Sequence, residues 1–152
     1  MLTSGHTPPI DVTRVTGREV PITGRRAIQS KTDLDGIITQ ASRSLAEISG
    51  FTLDELIGQP HNILRHPDMP DSIFYAMWKH LRAGEEFYGF TKNRAKNGDH
   101  YWVLARFAPI ERQNRIVGYT SARFLPKPEL IEDWETLYAQ MRQAEADSGF
   151  DD

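Results

Sequence analysis

From Ile73 to Leu81 apolar side chains recur at three- and four-residue steps (Ile73, Phe74, Met77, Trp78, Leu81), with Pro70 placed for a first turn and Gly84 just past the end. That spacing predicts a helix. After Gly84 the period changes. Residues 86–95, 99–109 and 115–124 are rich in Phe, Tyr, Trp, Val, Ile and Thr and are parted by Lys96-Asn97-Gly98 and Arg112-Gln113-Asn114, which predicts an antiparallel meander. Upstream, AIQSKT and IITQ flank Asp33–Gly36 and read as two short strands joined by a turn. Ser42 to Ser49 suits a short helix ended by Gly50, and Thr52 and Glu55 have the spacing of a capping box. Residues 59–70 hold three prolines, so no long helix runs through them. Pro126 and Pro128 precede a last helix in which Leu130, Trp134, Leu137 and Met141 lie four, three and four apart.

The order strand–strand, short helices, longer helix, three strands predicts an α+β domain: a five-stranded antiparallel sheet with helices on one face, enclosing something apolar. The divisions are an N-terminal arm or cap over 1–26, whose candidate ordered part is Val12 to Ile22, a domain over 27–125, an amphipathic C-terminal helix over 126–147, and a frayed tail over 148–152. With 152 residues, 39% of them hydrophobic, one domain can bury its own core.

The absence of cysteine excludes a disulfide framework, thiolate metal ligands, Fe–S clusters and any flavin–cysteine photoadduct. No apolar run approaches the ~20 residues that span a bilayer, and the N-terminus lacks a secretory pattern. The expectation is therefore a cytoplasmic domain without direct membrane insertion. A net charge of −3, with neither sign in a long block, offers nucleic acid no broad footprint. No GxGxxG loop, catalytic triad, paired-carboxylate site or metal-ligand spacing is evident, which points away from an enzyme.

The phrases SGFTLDELIGQPHNILRHPDMP (49–70), MWKHLRAGE (77–85) and KNRAKNGDHYWVLARFAPI (92–110) are long and nearly gapless. Through them the stretch from about Asp33 to Arg123 resembles the N-terminal PAS domains of bacterial aerotaxis receptors. The resemblance implies the PAS fold, a non-covalently bound FAD whose redox state reports respiration, and a signalling role exercised through a downstream protein or effector domain. Ser42 and Leu45 depart from it, standing where those receptors carry an Asn and a Phe. FMN, another small molecule or an empty pocket therefore stays open in place of FAD. Haem stays open as a rival cofactor, with His66 and His80 as candidate axial ligands, and a small flavin-dependent reductase is the rival activity.

Eight residues are expected at the cofactor: His61, Asn62, Arg65, His66, Asp68, Trp78, Asn93 and Tyr101. Arg65 would meet a phosphate with its planar fork, and His66 and Asp68 would fix the loop; the competing reading has Asp68 capping the next helix and pairing with Arg65. By the resemblance, His61 stands where photosensory LOV domains carry their reactive cysteine. An imidazole there, unperturbed near ~6.5, could share a proton with the ring. Alternation sets Thr91, Asn93 and Ala95 against Lys92, Arg94 and Lys96, so a solvated basic face turns the Asn93 amide inward, where it must be satisfied. A two-residue turn at Asn97-Gly98 would oppose Trp102 to Asn93; a three-residue loop would bring Tyr101 and Val103 to its face, which the resemblance favours. Trp78 lies on the apolar stripe, as core or as ligand wall. Aromatics on both strand faces imply that the arm, the last helix or a second subunit covers the outer face, so a homodimer is plausible.

Overall fold

In the computed structural model, which describes residues 13–21 and 27–149, five strands form one antiparallel sheet: β1 (Ile28–Thr32), β2 (Ile38–Ala41), β3 (Phe87–Arg94), β4 (His100–Arg112) and β5 (Arg115–Phe124). They pair in the order β2-β1-β5-β4-β3, which sets the first and last strands side by side in the middle, Ile28 opposite Arg123. Between β2 and β3 run α1 (Arg43–Ser49), α2 (Leu53–Leu56), a 3-10 turn (His61–Leu64) and α3 (Asp71–Arg82). The chain ends in α4 (Pro128–Ser148). This is the expected α+β architecture.

Local chemistry starts and stops these elements. Ser42 accepts from the Leu45 amide and Gly50 closes α1 in the left-handed region. Thr52 and Glu55 make the reciprocal capping box of α2. Leu45, Phe51, Leu56, Ile63 and Leu64 then bury an apolar cluster against Ile28 and Ile38. At the β3–β4 connection Ala95 N donates to Asp99 O (2.7 Å), leaving a three-residue loop, Lys96 to Gly98. Asn93 therefore faces Tyr101 across the strands, the second of the two registers considered. Gly98 sits at φ +95°, and a Cβ there would lie 2.8 Å from the Arg14 carbonyl, so only glycine lets the N-terminal arm pass.

The arm, 13–21 as described, runs along that loop, with Thr16 N donating to Gly98 O and Val20 N to His100 O. Val12 and Ile22 of its expected ordered part lie outside the described residues, as do 150–152 of the expected tail. The helix α4 crosses the sheet face opposite α1–α3: Trp134 stacks on Phe90 with ring centroids 4.5 Å apart, and the Tyr138 hydroxyl donates to the Phe90 carbonyl. One expectation is corrected here. Lys92 and Arg94 do not form a solvated face; both are buried on the outer side, Lys92 pairing with Asp68 (2.9 Å) and Arg94 donating to the Arg14 carbonyl. Of the three bases only Lys96 is exposed, bonded to Glu55. Among the described residues no helix is long and apolar enough to cross a membrane.

Candidate functional site

Between the sheet and α3 lies a cavity of about 260 Å³. Its apolar wall comes from α3, whose i, i+3, i+4 stripe presents Phe74, Met77, Trp78 and Leu81. Trp78 is held edge-on by Tyr119, ring centroids 5.1 Å apart. The 3-10 turn and the residue after it supply His61, Asn62, Leu64 and Arg65, and the inward faces of β3 and β4 add Thr91, Asn93 and Phe107. The sheet's centre supplies a polar floor: Ser30 and Thr32 from β1, Ser121 and Arg123 from β5.

Arg123 is 2% exposed, and among the described residues it has no carboxylate within ion-pairing distance. Its Nη2 donates to Ser30 Oγ (2.9 Å) and to His61 Nε2 (2.8 Å). Its Nη1 and the Ser121 hydroxyl, both buried, find no hydrogen-bond partner in the protein among the described residues. Burial pulls the guanidinium below its ordinary value, with Tyr101 opposing the shift. Since an arginine only donates, Nε2 of His61 must accept, and the imidazole carries its proton on Nδ1. Burial first, and the Arg123 charge second, lower the His61 pKa to about 3. The imidazole is neutral through the physiological range rather than titrating near 6.5, and it offers one fixed N–H donor.

Of the eight expected residues, His61, Asn62, Arg65, Trp78 and Asn93 line the cavity. Asn93 is 4% exposed, and its backbone bridges to Arg65, tying the loop to the edge strand. Arg65 pairs with Asp71, not Asp68, and its guanidinium lies 4.2 Å from the Phe74 ring centroid. The other three lie outside. His66 turns around the strand edge towards Lys92 and His100, accepts from the Asp68 amide at Nδ1, and is lowered to about 4 by burial and then by Lys92. Asp68 is drawn to the outer face by Lys92 and does not cap α3, whose N-cap Pro70 has no side-chain bond. Tyr101 is fully buried beneath Asn93 and beside Arg123, and burial raises its hydroxyl to about 12. Ser42 and Leu45 also lie away from the cavity, one as a helix cap and the other in the apolar cluster. His80 bonds the Ala76 carbonyl on the far side of α3. The site residues that sequence reading missed are Arg123, Ser121 and Ser30. The period-two run Tyr119, Ser121, Arg123 was the available signal, a polar stripe in a strand that has to be buried in the sheet's centre.

A profile for the PAS fold matches residues 38–123. The aerotaxis receptor of Escherichia coli (strain K12) is 47% identical over 124 residues, which is 82% of this chain and 24% of that one. Biofilm dispersion protein BdlA of Pseudomonas aeruginosa is 33% identical over 94 residues, 59% of this chain and 22% of that one. The chain thus spans less than a quarter of either relative's length. Among solved structures, the light-state LOV domain of the blue-light photoreceptor Aureochrome1 superposes with a TM-score of 0.63 at 20% identity, covering 76% of this chain and 91% of that one. A PAS domain from Colwellia psychrerythraea gives 0.56 at 22% identity, covering 66% and 86%.

Proposed function

Since the chain belongs to the PAS family, matching it over residues 38–123, we propose that it is the sensor domain of a signal-transduction protein and that its cavity takes the ring of a flavin, as FAD. The observation that carries this reading is Arg123, a buried cation with no acidic partner among the described residues and a spare Nη1 in a cavity with aromatic walls. Leaving a guanidinium uncompensated in the interior costs several kcal/mol, so the fold gains from a guest with an electron-rich polar edge. A flavin supplies such an edge, and its charge and hydrogen bonding change when the ring gains an electron.

The chain's own groups match that guest. The Asn93 amide offers a donor and an acceptor side by side, Ser121 and Arg123 Nη1 add donors, and His61 adds its Nδ1–H. Trp78, Phe74 and Met77 provide a flat apolar wall that excludes water. The cavity accommodates a ring system rather than a whole dinucleotide, so the ribityl and phosphate portions would lie towards Arg65, whose planar fork suits phosphate. Contacts that differ between the two redox states would shift β5 and the 3-10 turn, and a partner protein or effector domain would read the shift. The kinship with an aerotaxis receptor supports sensing rather than turnover. Neither histidine considered for haem ligation lines the cavity, and His61 already commits Nε2 to Arg123 and Ser30.

An absorption spectrum of the purified protein, with mass spectrometry of the released small molecule, tests this. A two-banded flavin trace with the mass of FAD is expected. A sharp Soret band would replace the reading with a haem sensor, and a protein that neither carries nor takes up a flavin would remove it.

A further inference from the structure

The first turn of α3 lacks a cap of its own and takes one from the other end of the chain. Glu145 of α4 accepts from the Asp71 amide (2.9 Å), the Ser72 amide (3.1 Å) and the Ser72 hydroxyl. A carboxylate at a helix N-terminus is favoured by the exposed amides and the dipole. This one meets a second carboxylate, because Asp71 is the first residue of α3. The cation that reconciles them is Arg65, which pairs with Asp71 and whose charge also acts on Glu145. Burial works against ionisation of Glu145, but the Ser72 and Asp71 hydrogen bonds and the Arg65 charge outweigh it and hold the carboxyl below its ordinary value. Arg65 lines the cavity, so one guanidinium lies between the ligand's space and the seat of the C-terminal helix.

We propose that Arg65, Asp71 and Glu145 form a latch through which a phosphate-bearing ligand in the cavity loosens the C-terminal end of α4. The inference rests on the flavin reading and concerns how occupancy reaches the rest of the chain. A phosphate competes with Asp71 for the Arg65 fork. When it wins, Asp71 and Glu145 face each other without their counter-ion at the start of α3, and repulsion weakens the cap. The outer anchors Trp134 on Phe90, Tyr138 on the Phe90 carbonyl and Arg142 on the Asp68 carbonyl are untouched, so the helix loosens past Arg142 instead of leaving the sheet. Asp71 is 46% exposed, which makes the latch sensitive to salt as well.

Amide hydrogen exchange over residues 143–148 reads the latch, with flavin absorbance and fluorescence reading binding separately. Riboflavin, FMN and FAD are the probes, because riboflavin has the ring without a phosphate. FMN and FAD are expected to speed exchange about threefold to tenfold and riboflavin to leave it unchanged. Equal acceleration by all three, or bound FMN and FAD without acceleration, overturns the latch and leaves the flavin reading standing. If no probe binds, the flavin reading falls and ligand control of the latch falls with it. Variants of the ligand-free protein test the charge logic without any guest. Arg65→Ala should accelerate exchange about threefold, and Asp71→Asn should remove most of that effect. Glu145→Gln, which keeps the acceptor and loses the charge, should abolish the response to FMN. An Arg65→Ala protein with unchanged exchange, or a Glu145→Gln protein that responds as the unmodified chain does, sinks the proposal.

Discussion

Both faces of the sheet bury basic side chains, Lys92 and Arg94 outside and Arg123 inside, and Lys92 and Arg123 are treated differently. On the outer face Lys92 is neutralised by Asp68, while Trp102 Nε1 donates to Glu135 and Tyr138 to the Phe90 carbonyl. On the inner face Arg123 has a hydroxyl and a neutral imidazole for company, and part of its donor set points at no protein group among the described residues. A buried charge with a built-in partner is compensated by the fold, whereas one without a partner is costly and favours a guest that would complete it. Around Lys92 the chain supplies the partner itself; around Arg123 the proposed guest would supply it.

Acid should break this contrast most severely. The pKa values of His61 inside and His66 outside lie below the unfolded value near 6.5, at about 3 and about 4. Their stabilisation is complete above pH 6.5 and is lost as pH falls towards the folded values, because the unfolded chain then binds protons the native one refuses. Between pH 6.5 and 5 each imidazole should remove about 2 kcal/mol from the unfolding free energy, measured by denaturant titration. A bound flavin should protect the His61 share alone. Equal acid sensitivity with and without flavin would show that the inner face needs no guest.

Tyr138→Ala removes the fully buried ring that joins α4 to β3 and β4, and should cost about 3 kcal/mol in chemical denaturation while the remaining fold still takes up flavin. Charge deletions on the two faces should then give opposite signs. Asp68→Ala strands Lys92 and is expected to destabilise the protein by about 2 kcal/mol. Arg123→Met takes an uncompensated charge out of the interior, so the ligand-free protein should gain about 1 kcal/mol while flavin affinity drops at least tenfold. Were Arg123→Met to weaken the ligand-free fold as much as Asp68→Ala does, the asymmetry between the faces would disappear. The smallest effect is expected from Thr52→Ala, which opens a capping box remote from both faces and should cost about 1 kcal/mol, leaving binding unchanged.

Elements governed by neighbours in sequence were legible. The Asp33–Gly36 turn, the Ser42 and Gly50 ends of α1, the Thr52 box and the α3 stripe each follow from residues within a few positions. The β3–β4 register was not, because Asn97-Gly98 allows a two- or a three-residue loop, and the Ala95–Asp99 bond that selects the longer one is not written in the strand pattern. Asn93 faces inward as alternation requires, but not because the basic set is solvated: Lys92 and Arg94 are buried by α4 and the arm, which strand alternation cannot reveal. The loop RHPDMP was half legible. Arg65 reaches the cavity, but Lys92 decides where Asp68 goes and Asp71 takes its place beside Arg65. Arg123 was overlooked because a strand's inward set is known only when its neighbours are, and β5 has β1 on one side and β4 on the other.

That central placement of β1 and β5 fixes where the polypeptide arrives and where it departs. Ile28 and Arg123 are cross-strand partners, so the chain enters β1 and leaves β5 at the same end of the two middle strands, beside the residue whose guanidinium faces the cavity. The start of β1 and the end of β5 thus lie one strand spacing apart. A displacement of Arg123 would be felt at the entry to β1 and the exit from β5 together.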